Sequence, residues 1–257
     1  MMRSPKRFPV PLVHINETNS TNNYLQSLCS EQKVEELTVV VADFQTSGRG
    51  QRGNSWESDP GKNLLFSTVI FPEFLEARRQ FLISQVISLA IKEELDTYTT
   101  DISIKWPNDI VIHGKKVCGI LTEMSTQMDY INYIVIGIGI NVQNEAFPEE
   151  IGEVATSLRI ESGKKQNRAA IIEAVWEEFE TYYDIYLKTE DMQGLVGEYN
   201  RKLANMNQQV RVLDPKDPYE GTARGITSKG ELIVDTWEAR KLVSSGEVSV
   251  RGLYGYV

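Results

Sequence analysis

The residues best equipped for chemistry in this chain are two arginines set among glycines, Gly48-Arg49-Gly50-Gln51-Arg52-Gly53. Glycine lets the backbone approach a ligand closely, and guanidinium forks match phosphate oxygens. The stretch therefore reads as an anion-binding loop; a mobile surface loop with solvated arginines is the plainer alternative. It also matches G-x-G-x-x-G and follows a strand-like run. A dinucleotide site, however, needs the third glycine to open a helix toward the pyrophosphate. Here Asn54-Ser-Trp-Glu-Ser-Asp-Pro-Gly61 follows and reads as more loop and a turn.

Three further groups carry potential. Lys105-Trp-Pro-Asn-Asp109 offers a rigid backbone, a two-sided amide and a carboxylate at a strand end, suited to reading a base or placing a cation. A tight polar turn explains it equally well. Lys116 opens an apolar run, Val-Cys-Gly-Ile120, and either enters a cleft or stands exposed on a hairpin. Ile136-Gly-Ile-Gly-Ile-Asn141 places glycines in a strand, where a ligand or another backbone approaches closely. His14 and His113 have no metal-like partners in the sequence. Glu145, Glu149 and Glu150 read as a solvated loop.

Helices are expected over Asn19–Glu31, Phe74–Leu95, Arg168–Leu187 and Leu195–Ala204, each with apolar residues at helical spacing. Strands are expected over Leu37–Ala42, Leu64–Phe71, Ile102–Trp106, Lys116–Met124 and Tyr130–Asn141, with Asn108-Asp109 and His113-Gly114 as turns. Beyond Asn205 the pattern changes to five short strands, near 210–213, 220–226, 232–235, 240–243 and 248–253. That suits a small β-barrel of SH3-like size. The expected division is 1–206 and 207–257.

The 257 residues are 41% hydrophobic, enough for a sizeable core, and carry a net charge of −9. That charge argues against broad DNA or anionic-membrane binding. Two distant cysteines, Cys29 and Cys118, make a secreted disulfide framework improbable, and no signal peptide or membrane-length apolar run is present. A cytoplasmic protein is expected.

Taken in order, five motifs resemble biotin–protein ligases: Glu17-Thr-Asn-Ser-Thr-Asn22, Gln45 to Trp56, Lys105 to Ile110, Lys116-Val-Cys-Gly-Ile-Leu121 and Gly137-Ile-Gly-Ile-Asn-Val142. Gly246-Glu-Val-Ser-Val-Arg251 resembles the family's closing segment. The resemblance spans residues 10 to 252. It implies an α+β catalytic domain around a mixed sheet, similar to class II aminoacyl-tRNA synthetases, followed by an SH3-like domain. It implies ATP-dependent attachment of biotin, through biotinyl-adenylate, to a lysine of a carboxylase's biotin carrier domain, with Mg²⁺ accompanying ATP. Because the sequence opens almost directly on the ligase motifs, the monofunctional form without a DNA-binding module is expected. Related enzymes form dimers by sheet-to-sheet contact, so a homodimer is allowed.

By position, the resemblance assigns Ser20, Thr21, Asn22, Gln45, Gly48, Arg49 and Gly119 to biotin. It assigns Arg49, Gly50, Gln51, Arg52, Trp56, Asn108, Lys116 and Asn141 to ATP and the adenylate. Arg49, Lys116, Lys105 and Asp109 are the expected catalytic residues; no metal ligand is assigned. The family loop is commonly G-R-G-R-x-G-R-x-W, whereas here Gln51 and Asn54 replace two arginines. The loop carries less charge at two places expected to face the adenylate, which leaves open how tightly the intermediate is retained, with Arg52 at the variable position between them as a partial substitute. Three other readings compete: a lipoate or octanoate ligase or transferase of the same fold, a non-enzymatic regulator that binds the adenylate, and an NAD-binding protein.

Overall fold

A computed structural model describes residues 10–72, 75–76, 79–127, 130–245, 249–253 and 255–257, without the side chains of Arg52 and Tyr130. A seven-stranded mixed sheet forms from β1 (Leu12–Thr18), β2 (Val39–Gln45), β3 (Leu64–Ile70), β4 (Ile102–Lys105), β5 (Asp109–Ile112), β6 (Lys115–Gln127) and β7 (Tyr130–Ile140). Its order is β1-β2-β3-β7-β6-β5-β4. Only β1 and β2 run parallel; the other neighbours are antiparallel.

The two faces are covered differently. Helices α2 (Phe81–Leu95) and α5 (Arg168–Tyr186) bury one face in the main core. On α5, the rings of Trp176, Phe179, Tyr183 and Tyr186 stack in sequence at 5.2, 5.2 and 6.0 Å, a row that three- and four-residue spacing creates. On the other face α1 (Thr21–Glu31) packs Leu25 against Val40, Val69 and Val135. It covers only part of the sheet, and a cleft lies beside its N-terminus. Short helices α3 (Glu149–Gly152) and α4 (Leu158–Ser162) follow the sheet, and α6 (Val196–Lys202) precedes a five-stranded antiparallel sheet.

That second sheet contains β8 (Gln209–Leu213), β9 (Tyr219–Ile226), β10 (Leu232–Asp235), β11 (Arg240–Val243) and β12 (Ser249–Gly252), in the order β11-β10-β9-β8-β12. It docks on the strand that carries the Lys-Trp-Pro-Asn-Asp motif. The Gly230 carbonyl accepts hydrogen bonds from Trp106 Nε1 at 3.0 Å and Gln85 Nε2 at 2.8 Å. The Trp106 backbone N–H donates to Asn205 Oδ1 at 3.1 Å.

The sequence expectations need four corrections. Leu12–Thr18, for which no element was expected, is a strand. Asp109 opens β5 rather than closing a turn. The α2 helix starts at Phe81; Phe74, where it was expected to begin, lies outside the described residues, as do Gly246, Glu247 and Val248 of the closing segment. Glu149 and Glu150 open α3, where carboxylates complement the helix N-terminus.

Candidate active site

Glycines make the floor of the cleft. Strand pairing sets Lys105 opposite Asp109, Asp109 opposite Gly119 and Gly119 opposite Gly139 in one row across the sheet. The parallel row sets Ser67 opposite Gly137 and Gly137 opposite Leu121. Side chains two apart in a strand share a face, so both rows look into the cleft. Gly137 and Gly139 are required there. A Cβ at 137 would lie 2.2 Å from Asn22 Oδ1, and one at 139 would lie 2.5 Å from the Trp56 ring.

Lys116 reaches this face through a bulge. Ile110 pairs with Cys118, but Val111 pairs with Lys116, so Val117 is an extra residue in β6. Val117 and Cys118 consequently both face the core, and Lys116 turns toward the cleft. Its Nζ lies 2.6 Å from Asp109 Oδ1. Lys105 Nζ lies 4.0 Å from Asp109 Oδ2, with its side chain 5% exposed. Burial pushes the Lys105 pKa down to about 8, despite the neighbouring Asp109. Burial alone would raise Asp109, but Lys116, Lys105 and a hydrogen bond from the Tyr256 hydroxyl outweigh it and hold the carboxyl below its usual range.

The other end of the cleft is a neutral polar cluster at the start of α1. Gln45 Oε1 accepts from the Thr21 backbone N–H at 2.7 Å and from the Thr21 hydroxyl at 3.0 Å. Spending its oxygen this way leaves the Gln45 amide nitrogen as the free donor. Ser67 Oγ lies 2.7 Å from Thr21 Oγ1 and 2.6 Å from Asn22 Oδ1. Asn22 Nδ2 and Arg49 Nη2 both donate to the same oxygen, Glu123 Oε2, each at 2.7 Å. Arg49 Nη2 also donates to Asn23 Oδ1 at 2.6 Å.

The glycine-rich loop is a compact hairpin. Arg49 bridges Ser55, Trp56 N donates to Gly48 O at 2.9 Å, and Gly50 N donates to Asn54 O at 2.7 Å. A single 3₁₀ turn, Gln51–Gly53, forms its tip. Gly53 ends that turn instead of opening an α-helix, which removes the dinucleotide reading. Trp56 lies over Gly119 and Gly139, with Lys116 Nζ 5.7 Å from its ring centre.

Ser20, Thr21, Asn22, Gln45, Arg49, Gly50, Gln51, Trp56, Lys105, Asn108, Asp109, Lys116 and Gly119 all line one cleft. Gly48 is not among the lining residues; it pairs with Trp56 in the hairpin, where a Cβ would lie 2.3 Å from the Trp56 carbonyl oxygen. Asn141 does not reach the cleft: its side chain donates to Thr156 O at 3.0 Å and its backbone receives Leu158 N at the end of β7. Asn108 lines the cleft while its Nδ2 donates to Ile120 O at 2.6 Å. The Arg52 side chain lies outside the description. Sequence reasoning missed Ser67, Glu123, Arg251 and Tyr256. Ser67 had a signal, a hydroxyl inside the wholly buried strand Leu64–Ile70. Arg251 had one too, its place in the closing segment that resembles the family's; Glu123 and Tyr256 had none.

Residues 15–141 match the Biotin/lipoate A/B protein ligase family, and residues 206–251 match the Biotin protein ligase C terminal domain. The bifunctional ligase/repressor BirA of Bacillus subtilis is 33% identical over 243 residues, covering 93% of this chain and 74% of that protein. The chain belongs to the biotin protein ligase family. Another ligase in this family, the biotin–[acetyl-CoA-carboxylase] ligase of Mycobacterium tuberculosis, is 27% identical over 91% of this chain and 86% of its own length. Among solved biotin protein ligases, the Aquifex aeolicus enzyme in complex with biotin and ATP superposes with a TM-score of 0.83. It is 31% identical, covering 94% of this chain and 99% of that one.

Among the described residues no group of three metal-ligating side chains occurs, and the cleft's Asp109 is flanked by two lysines. No described helix is long and apolar enough to cross a membrane.

Proposed function

We infer that the chain is an ATP-dependent ligase that activates biotin as biotinyl-adenylate and transfers it to a lysine of a carboxylase's biotin carrier domain. One observation carries this reading. A single cleft joins a polar cluster of hydroxyls and amides, which can hydrogen-bond a ureido ring, to a charged cluster suited to a carboxylate and phosphate. The same cleft disfavours the lipoyl alternative, since a linear acyl chain has no use for the donors around Gln45 and Thr21.

In the first step the biotin carboxylate attacks the α-phosphate of ATP and pyrophosphate leaves. Charge gathers on phosphate oxygens, so positioned cations do most of the work. Lys116 meets the carboxylate and α-phosphate; Lys105 supports the phosphates; Arg49 swings from Glu123 to the same path. Ser20, Thr21, Asn22 and Gln45 hold the ring, with Gly119 as floor. Gly50, Gln51, Trp56 and Asn108 line the nucleotide end. In the second step a carrier lysine attacks the mixed anhydride and AMP leaves. The decisive assay incubates the chain with MgATP, biotin and a carrier domain and weighs the carrier. Absence of a biotin mass increment with a competent carrier would overturn the reading.

Two substitutions probe the halves of the cleft. Gly137→Ala drives Asn22 away from Ser67 and Glu123, because the new methyl sits 2.2 Å from Asn22 Oδ1. Its KM for biotin is expected to rise about tenfold or more, with KM for ATP little changed; a biotin titration reads this. Gln51→Arg restores a cation at the loop tip and is expected to slow adenylate release about threefold to tenfold, the range of one charge-assisted contact. An unchanged dissociation rate in stopped flow shows that residue 51 does not gate release.

A further inference from the structure

The residue that completes the charged cluster comes from the far end of the chain. Tyr256 lies beyond β12, 147 positions from Asp109, and its hydroxyl donates to Asp109 Oδ2. The Lys105 ammonium sits 3.9 Å from the centre of the same ring, and the Arg251 guanidinium lies 5.1 Å from it. One aromatic ring is therefore flanked by two cations while its hydroxyl grips the carboxylate between Lys105 and Lys116.

We propose that Tyr256 is a positioning residue for adenylation: its hydroxyl fixes the Asp109 carboxylate, and its ring covers the Lys105 ammonium. The inference rests on the ligase reading above. Asp109 has two oxygens to share. Lys116 takes Oδ1 at 2.6 Å, while Oδ2 faces both Tyr256 and, at 4.0 Å, Lys105. A neutral donor on Oδ2 keeps the carboxylate from turning to pair fully with both lysines, which would remove the charge that phosphate must meet. Tyr256 suits this task because burial and the adjacent Asp109 raise its pKa, so it stays protonated. The ring keeps water from Lys105 without neutralising it, as a cation–π contact does.

Asp109 is faced by Lys105 from β4, Lys116 from β6 and Tyr256 from the tail. Arg251 acts on both Lys105 and Tyr256, and the neutral groups of Cys118 and Tyr199 are buried nearby. Tyr256→Phe keeps the ring and removes the donor. In biotin-dependent ATP–pyrophosphate exchange its kcat is expected to fall about tenfold, the worth of one hydrogen bond to a charged group, with KM for biotin unchanged. The acid limb of its pH–rate profile should also move to higher pH, because Asp109 loses a donor that favours its ionised form. A merely structural contact would move neither. An unchanged kcat and acid limb refute the proposal, as does a lower KM for ATP with kcat kept, which would make the tail a plug. An unsubstituted chain that exchanges nothing removes the ligase reading and this inference with it; a working chain with an unaltered Phe variant removes the inference alone.

Discussion

Replacing Lys116 with alanine is expected to slow biotinyl-adenylate formation by about 10²- to 10³-fold, the loss seen when one preorganised donor to a developing oxyanion is removed. Lys116 is the cation that the β6 bulge turns onto the glycine floor beside Asp109. Its side chain remains 29% exposed, and Asp109 keeps Lys105 and Tyr256, so a smaller loss of stability than that of Asp109→Asn is expected. Single-turnover adenylation and a thermal melt separate chemistry from folding. A near-normal adenylation rate would reassign the role; a collapsed melting transition would mean the loss is structural.

Asp109→Asn is expected to cost both activity and stability. The amide keeps the shape but leaves Lys105 and Lys116 facing one another without a counter-charge. Breaking a buried pair costs about 3–5 kcal/mol; the partial exposure of Lys116 lowers the expectation to about 2–3 kcal/mol after screening. For a chain of this length that corresponds to a fall in Tm of roughly 5–10 °C. The pH dependence gives the check. Asp109 has a folded pKa below its unfolded value, so its contribution is complete above about pH 3.9 and is lost as pH falls through the lower folded value. The difference in Tm between parent and variant should narrow in that acid window, and again as pH rises past about 8, where Lys105 loses its proton. A difference that vanishes near pH 7 would show that the carboxylate is not held ionised by its lysines.

The ordered motifs identified the catalytic half because their residues face the cleft, from the start of α1, the glycine-rich loop and the glycine floor of β6 and β7, where side-chain types matter more than packing. The C-terminal sheet was legible for a different reason. Strands such as Gln209–Leu213 alternate exposed and buried residues without interruption, and alternation is the plainest strand signal. By contrast, Leu12–Thr18 is a polar edge strand with little to bury, and Asp109–Ile112 is four buried residues starting on a residue type that favours turns. Asn141 sits in a matching motif, yet its amide is consumed at the end of its own strand. Glu123 and Tyr256 could not be read at all, since their importance comes from partners 101 and 147 positions away.

The bulge at Val117 carries a lesson about how this site is written. The direction in which Lys116 points is set by parity, a count of residues between two pairing points, rather than by any letter of the motif. Deleting Val117 would leave the lysine, the glycines and the carboxylate in the text of the chain while turning the ammonium toward the hydrophobic interior. A search by residue identity would still accept such a sequence as a ligase, whereas a test of strand register would reject it.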